Sequence, residues 1–282
     1  MSMSPPVPTE ARAAFARDGV VVLPGFYDVA TEIAPIWADI QAVIQMVSAR
    51  WGLRPPVGLP DQDGFDGGLL ALAAQDRRAV GDVYDAIKQI PAFVRLVASC
   101  RHDALFRALR PGSMPGVAAG GAGIRIDLPH EERFRAPWHQ DYPAQLRSLD
   151  GLVFWSPLVP MTPALGPVRF ALGSQHDGPV PVHTRDPLAP DRSGAYALRL
   201  SDEAARLARY VEVAPLVQPG DLVVIDYLTL HASGQNVGER ARWSMQMRWF
   251  NFLEPTGQGY GWKGSFAAGV DLRTVHPELV VD

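Results

Sequence analysis

The sequence predicts a mainly β domain, an antiparallel barrel or jelly roll, with helices packed on one outer face. Two observations lead there. From about residue 115 onward, short apolar runs follow one another between Gly, Pro, Asp and Asn, without helical stretches between them; this is the texture of sequential antiparallel strands. Before that point, apolar residues recur at spacings of three and four, as in helices that bury one face. A chain of 282 residues with 47% hydrophobic content can bury a sizeable core. The shift near 115 therefore reads as a change of element type within one domain over 1–282: a mostly helical support layer at 1–114, a β core at 115–253, and a tail or lid at 254–282.

In order along the chain, Thr9 is placed to cap a helix that closes on Gly19, and "VVVLPGF" follows as a short strand. In "VATEIAPIWADIQAVIQMVSARW", Ile33, Ile36, Ile40, Ile44 and Val47 form one helical stripe, with Pro35 near its start or kinking it. "RPPVGLPDQDGFDGG" is a loop, and helix resumes from Ala79 to Arg110 with an interruption near Pro91. After the Gly-rich turn "PGVAAGGAG", the strands are "IRIDL", "LVFWSPL", "PVRFAL", "YVEVAPL", "DLVVIDY" and "RWSMQMRWF".

Composition removes several classes of function. A net charge of -4 and a pI near 6.0 give no phosphate-neutralising surface, so nucleic acid is not an expected partner. Arginine carries nearly all the positive charge, because only Lys88 and Lys263 are lysines. Cys100 is the sole cysteine, which leaves no disulfide framework and no thiolate cluster, so any metal must be held by nitrogen and oxygen. No leader pattern opens the chain and no window approaches a membrane span; a cytoplasmic protein with a small-molecule partner and no membrane partner is expected.

Few of the polar residues demand a function. His102, His130, His183 and His276 fall in or beside loops and read as exposed or locally bonded, and His176 in "LGSQHDG" reads as a turn residue. "APWHQDYP" differs. Prolines bias Ala136 and Tyr142 towards extended backbone, and a spacing of two in a strand aims His139 and Asp141 to one side with Gln140 opposite. That pair is either a His-Asp hydrogen bond at a strand end or two corners of a metal site. His231, emerging at the end of the apolar "VVIDYLTLH", supplies a third donor. Two histidines and one carboxylate with open positions suit non-haem Fe(II). The same three would also suit a zinc hydrolase or isomerase, or the metal site of a non-catalytic barrel-type binding module.

Alternation in the last strand places Arg242, Ser244, Gln246 and Arg248 on one face, and Trp243, Met245, Met247 and Trp249 on the other. The apolar face belongs against the helices, which turns the polar row into the barrel. Arg242 there is paired either with an internal carboxylate such as Asp127 or with a carboxylate brought by a ligand, Ser244 adding a hydrogen bond. Fe(II) plus one aspartate retains one positive charge, and a dicarboxylate with one arginine neutralises it, which favours the ligand. Arg125 shares a face with Asp127, so that either one enters the pocket or the two satisfy each other, and Trp138 and Tyr142 flank the "HQD" core; Arg125, Trp138, Tyr142 and Arg248 are candidate substrate contacts.

Taken together, "FARDGVVVLPGFYD", "WHQD", "LGPVRFALGSQH" and "LHASGQN" followed by "RARWS" resemble, in set and order, the phytanoyl-CoA dioxygenase-like branch of the Fe(II)- and 2-oxoglutarate-dependent oxygenases. Ala171-Leu172 stand where that family commonly has a proline before Gly173. The resemblance implies a double-stranded β-helix, with His139, Asp141 and His231 as iron ligands and Arg242 on the distal carboxylate of 2-oxoglutarate, assisted by Ser244. It also implies hydroxylation of a small metabolite with O2 as second co-substrate and release of succinate and CO2. Halogenating relatives replace the metal-binding carboxylate by a small residue, so Asp141 favours a hydroxylation outcome. The long loop 175–198 and the tail 255–266 are well placed to be lids.

Overall fold

A computed structural model of the chain describes residues 7–54, 65, 67–186, 197–264 and 271–281. Helix α1 (Thr9–Asp18) is capped by Pro8, not Thr9, and ends on Gly19, whose positive φ of 71° lets its N–H return to Phe15 O. Strand β1 (Val20–Leu23) follows. Asp28 caps a short π-helical turn, Val29–Ile33, which leads into α2 (Ala34–Arg50) with Pro35 in its first turn, where proline is tolerated. The stripe Ile33, Ile36, Ile40, Ile44 and Val47 is buried, as the spacing predicts. Three further helices, α3 (Gly67–Gln75), α4 (Ala79–Ala86) and α5 (Pro91–Val97), complete the layer with α6 (Cys100–Leu109). The stretch read as one helix broken at Pro91 breaks again before Cys100, where Ser99 caps α6.

His102 corrects its sequence reading. It lies inside α6, fully buried, with its ring stacked on Phe154 at 4.6 Å and its Nε2 hydrogen-bonded to the Tyr27 hydroxyl at 2.7 Å. Burial pushes its pKa down to about 3, so the ring is neutral.

The β core consists of two antiparallel sheets facing each other. The larger comprises β1, β2 (Pro115–Val117), β3 (Gly123–Asp127), β4 (Leu152–Pro157), β9 (Leu222–Asp226) and β11 (Arg242–Asn251), ordered β1-β9-β4-β11, with both β2 and β3 on the far edge of β11. The smaller comprises β5 (Val168–Ala171), β8 (Glu212–Val213) and β10 (His231–Ser233), ordered β10-β5-β8. A separate pair joins β6 (Val182–His183) to β7 (Arg199–Leu200). This is the barrel expected, although "YVEVAPL" contributes only the two-residue β8, and the very short β2, β6, β7 and β10 have no sequence signal. Short helices α7 (Tyr142–Gln145), α8 (Glu203–Leu207), α9 (Pro255–Gly259) and α10 (Leu272–Val275) lie in the connections. Most of the loop before α3, and part of the long loop expected to be a lid, lie outside the described residues.

Strand β11 couples the two layers. Trp243, Met245, Met247 and Trp249 are buried on its outer face. There Trp243 packs 5.0 Å from the Phe65 ring, and Trp249 donates its indole N–H to Val97 O at 3.2 Å. Trp37 of α2 likewise donates to Leu158 O at 2.9 Å. Burying Trp249 and Trp37 with their one donor satisfied locks the helices to the sheet at low polar cost, whereas the buried Trp243 indole N–H has no partner among the described residues. The opposite face of β11 is left to look between the sheets.

Candidate metal centre and co-substrate pocket

The segment 136–141 and strand β10 are brought together by a two-way backbone pairing, His139 N to His231 O and His231 N to His139 O, each 3.0 Å. The two imidazoles therefore start opposite one another, their ring centres 4.2 Å apart. Each ring is aimed by the same local device: Nδ1–H donates to the carbonyl two residues back, Pro137 O at 2.8 Å for His139 and Thr229 O at 2.9 Å for His231. A carbonyl can only accept, so these bonds fix the proton on Nδ1 and leave the Nε2 lone pairs free. Burial lowers both histidine pKa values, His139 to about 3 with help from the neighbouring His231, so both rings are neutral and competent as ligands at neutral pH.

Asp141 completes the group. One donor atom from each of His139, Asp141 and His231 lies within 4.8 Å of the others. Burial alone would raise the Asp141 carboxyl, but the charge and hydrogen bond of Arg248 hold it below the usual carboxylate value. Arg248 Nε donates to Asp141 Oδ1 at 2.9 Å, while Oδ2 is buried and has no hydrogen-bond partner among the described residues. An orphaned carboxylate oxygen beside two imidazole lone pairs is costly unless a cation sits there. The donor set fits a divalent metal with open positions.

The backbone here departs from the extended run read from the prolines. Asp141 is helical, at φ -72° and ψ -28°, and Tyr142 and Pro143 open the one-turn helix α7; Tyr142 is not extended, because a proline in a first helical turn sacrifices no hydrogen bond. Gln140 does point away from the metal donors, and its side chain is fully used. Its Nε2 donates to Gly178 O at 2.8 Å and Leu228 O at 2.7 Å, and its Oε1 accepts from Val180 N at 2.9 Å. It staples the 139–141 segment to the turn that carries His231, a role sequence reading missed.

The three donors open onto a cavity of about 230 Å³ between the sheets, lined also by Arg125, Val153, Trp155, Ile225, Arg242, Ser244, Gln246 and Arg248. The polar row of β11 therefore faces inward as alternation predicts. Arg242 is 1% exposed, which makes its pairing decisive. Its Nε and Nη2 donate to Asp127 Oδ2 at 3.1 and 2.8 Å, and Nη1 donates to Gly166 O. Asp127 also accepts three bonds from Arg125 at 2.7 to 2.9 Å. Burial would raise the Asp127 carboxyl, and the two guanidiniums reverse that and hold it low. Ser244 Oγ, two residues along from Arg242, is buried without a partner among the described residues. The residues read as candidate substrate contacts divide. Arg125 and Arg248 line the cavity. Trp138 instead lies under the Arg169 guanidinium at 5.0 Å, and Tyr142 is fully buried with its hydroxyl 2.7 Å from His276 Nε2; neither lines the cavity. Tyr84 and Gln145 do line it, and nothing in the sequence marked them.

Comparison with known proteins places this site in context. The sequence profile described as Phytanoyl-CoA dioxygenase (PhyH) matches residues 15–244. No curated protein matches the chain in sequence. Among solved structures, EctD from S. alaskensis with 2-oxoglutarate and 5-hydroxyectoine is similar at 20% identity over 89% of this chain and 78% of that one, with a TM-score of 0.55. The epimerase SnoN in complex with Fe3+, alpha ketoglutarate and nogalamycin RO is similar at 20% identity over 93% and 91%, with a TM-score of 0.57. The alpha ketoglutarate-dependent carbocyclase SnoK from nogalamycin biosynthesis is similar at 17% identity over 86% and 83%, with a TM-score of 0.54. At these identities the likeness is one of fold, and it agrees with the barrel described above. Among the described residues no helix is long and apolar enough to cross a membrane. With the profile spanning both metal-donor segments and reaching Ser244, the chain belongs to the phytanoyl-CoA dioxygenase family of Fe(II)- and 2-oxoglutarate-dependent oxygenases.

Proposed function

We propose that the protein hydroxylates a small organic substrate, with the balance R–H + 2-oxoglutarate + O2 giving R–OH + succinate + CO2. The observation that carries this reading is the union, in one cavity, of the His139-Asp141-His231 group with Arg242 and an unpartnered Ser244 hydroxyl. His139 and His231 would hold Fe(II) through Nε2, and Asp141 through Oδ2. Iron with 2-oxoglutarate supplies the oxidant for the substrate C–H bond when both are bound. Arg242 would take the distal carboxylate of 2-oxoglutarate, with the Ser244 hydroxyl donating a second hydrogen bond. Its guanidinium is planar and charged at every working pH, and it is already held on the Asp127 side, so little ordering entropy is lost when the ligand arrives. Val153, Trp155 and Ile225 keep water from the reacting centre, and Gln145, Gln246 and Tyr84 add polar groups to the cavity wall on which a substrate would be oriented.

A zinc hydrolase would use the same three donors, but it gives the buried, unpartnered Ser244 hydroxyl no task. The outcome of oxidation is the finer part of the proposal. EctD carries a hydroxylated ligand, whereas SnoN is an epimerase and SnoK a carbocyclase, so the fold by itself does not decide the product. Asp141 keeps a carboxylate where halogenating relatives have none. The test is a screen of metabolite classes with Fe(II), 2-oxoglutarate and O2, following substrate-stimulated succinate and product mass. One oxygen atom gained per succinate formed is expected. An epimerised or cyclised product would overturn hydroxylation alone; zinc-dependent hydrolysis without 2-oxoglutarate consumption would overturn the whole reading.

A further inference from the structure

Arg248 was read from the sequence as a substrate contact, and its surroundings assign it different work. Its Nε holds Asp141 Oδ1 at 2.9 Å, while Asp141 Oδ2 lies 3.5 Å from His231 Nε2 and has no hydrogen-bond partner among the described residues. The two oxygens of the carboxylate are thus already divided, one for the guanidinium and one for the metal-facing side. We propose that Arg248 is a positioning residue that, by occupying Oδ1, reserves Oδ2 for the metal and keeps Asp141 a one-oxygen ligand. The inference rests on the metal reading given above. Its chemical point is coordination number. A carboxylate that bound through both oxygens would consume one of the three positions that a bidentate 2-oxo acid and O2 require.

The guanidinium is itself held in place. Nη2 donates to Gln246 Oε1 at 2.8 Å and Nη1 to Gly121 O at 3.2 Å. The glycine-rich turn is built to deliver that carbonyl: Ala118 N bonds Arg248 O at 2.9 Å, and Gly121 N returns to Ala118 O at 2.8 Å. A Cβ at Gly121 would stand 2.8 Å from the Ala118 Cβ and 3.2 Å from the Arg248 Cβ, so the turn and the strand could not keep this distance with any larger residue. "PGVAAGGAG", legible in the sequence only as a boundary, becomes the bracket that aims Arg248 at Asp141.

The test uses the full-length protein and Co(II), whose visible bands report both binding and coordination number. R248M should weaken Co(II) affinity by roughly 10- to 100-fold, the usual effect of losing a group that orients a metal ligand, and should change band intensity as the carboxylate turns. R248K should recover part of the affinity. G121A should move it the same way as R248M with every charge intact, and it decides the matter together with R248K if R248M does not fold. In an Asp141→Asn background R248M should add little. Unchanged Co(II) affinity and spectrum in R248M, with a raised KM for substrate, would overturn the proposal and return Arg248 to the substrate. Absence of Co(II) binding by the wild-type protein would overturn the metal reading together with this one, which separates the two failures.

Discussion

Replacing Arg242 by Met removes a buried charge while keeping most of the stem, and its effects on stability and on ligand binding separate. On the stability side, Gly166 O loses its Nη1 donor and Asp127 loses two bonds at 3.1 and 2.8 Å but keeps its three from Arg125 at 2.7 to 2.9 Å. The carboxylate is therefore not stranded, and the cost falls below the ~3–5 kcal/mol of a broken buried pair, at about 2 kcal/mol. For a chain of 282 residues, an unfolding entropy near ~2.1 cal/mol/K per residue turns this into a Tm loss of about 3–4 °C. On the ligand side, the distal carboxylate of 2-oxoglutarate would be desolvated with no cation to meet it. Truncating one partner of such a pair costs about 2–5 kcal/mol, or about 30-fold to several thousand-fold in affinity. Anaerobic calorimetric titration of 2-oxoglutarate into Fe(II)-loaded protein reads the second quantity and scanning calorimetry the first. A 2-oxoglutarate affinity within about threefold of wild type, alongside the predicted Tm loss, would make Arg242 a structural partner of Asp127 and nothing more.

Other consequences are equally open to measurement. Asp127→Asn leaves Arg125 and Arg242 facing each other without a carboxylate, and should cost about 3–5 kcal/mol by urea unfolding at neutral pH. Because the Asp127 carboxyl is held below its ordinary 3.8 in the folded protein, its contribution is present above that value and lost as pH falls further, so the wild-type advantage should shrink below about pH 4. An advantage that grows in acid would contradict the pairing. Gln140→Ala leaves the buried Val180 N–H and the part-buried Gly178 and Leu228 carbonyls without their side-chain partner; a loss of about 2 kcal/mol and weaker Co(II) binding are expected, and an unchanged metal affinity would show that the staple does not reach the site. His102, neutral in the folded state with a pKa of about 3 against 6.5, costs stability as pH drops from 6.5 towards 3, by up to about 1.4 kcal/mol per pH unit. His102→Gln should remove that share of the acid slope in urea midpoints, leaving the shares of His139 and His231; an identical slope would refute the burial argument.

What could be read from the sequence depended on how local each determinant is. The two faces of β11 were legible because a long strand between a core and a cavity alternates strictly. The same holds for the α2 stripe, whose spacing is fixed by 3.6 residues per turn. His139, Asp141 and His231 could be nominated from chemistry and motif. The pairing of His139 with His231 through β10 could not be read, since that strand has only three residues. His102 was misread because "CRHDALFRAL" looks polar, although its position three and four before Leu105 and Phe106 carries the buried face. Tyr142 was misread by applying the rule for residues before proline where proline opens a helix. The partners of Gln140 lie 38 to 88 residues away, and Asp141 and Gly121 lie 107 and 127 residues from Arg248; only the closed barrel brings them together.

The iron site itself can be addressed with one anaerobic spectrum. On adding Fe(II) and then 2-oxoglutarate, the weak visible metal-to-ligand charge-transfer band of the iron and 2-oxo acid complex should appear in the wild-type protein. It should be absent in Asp141→Ala, in which the orphaned oxygen that faces the two histidines is gone. No band in the wild-type protein, with tight zinc binding in its place, would contradict the assignment of His139, Asp141 and His231 to iron.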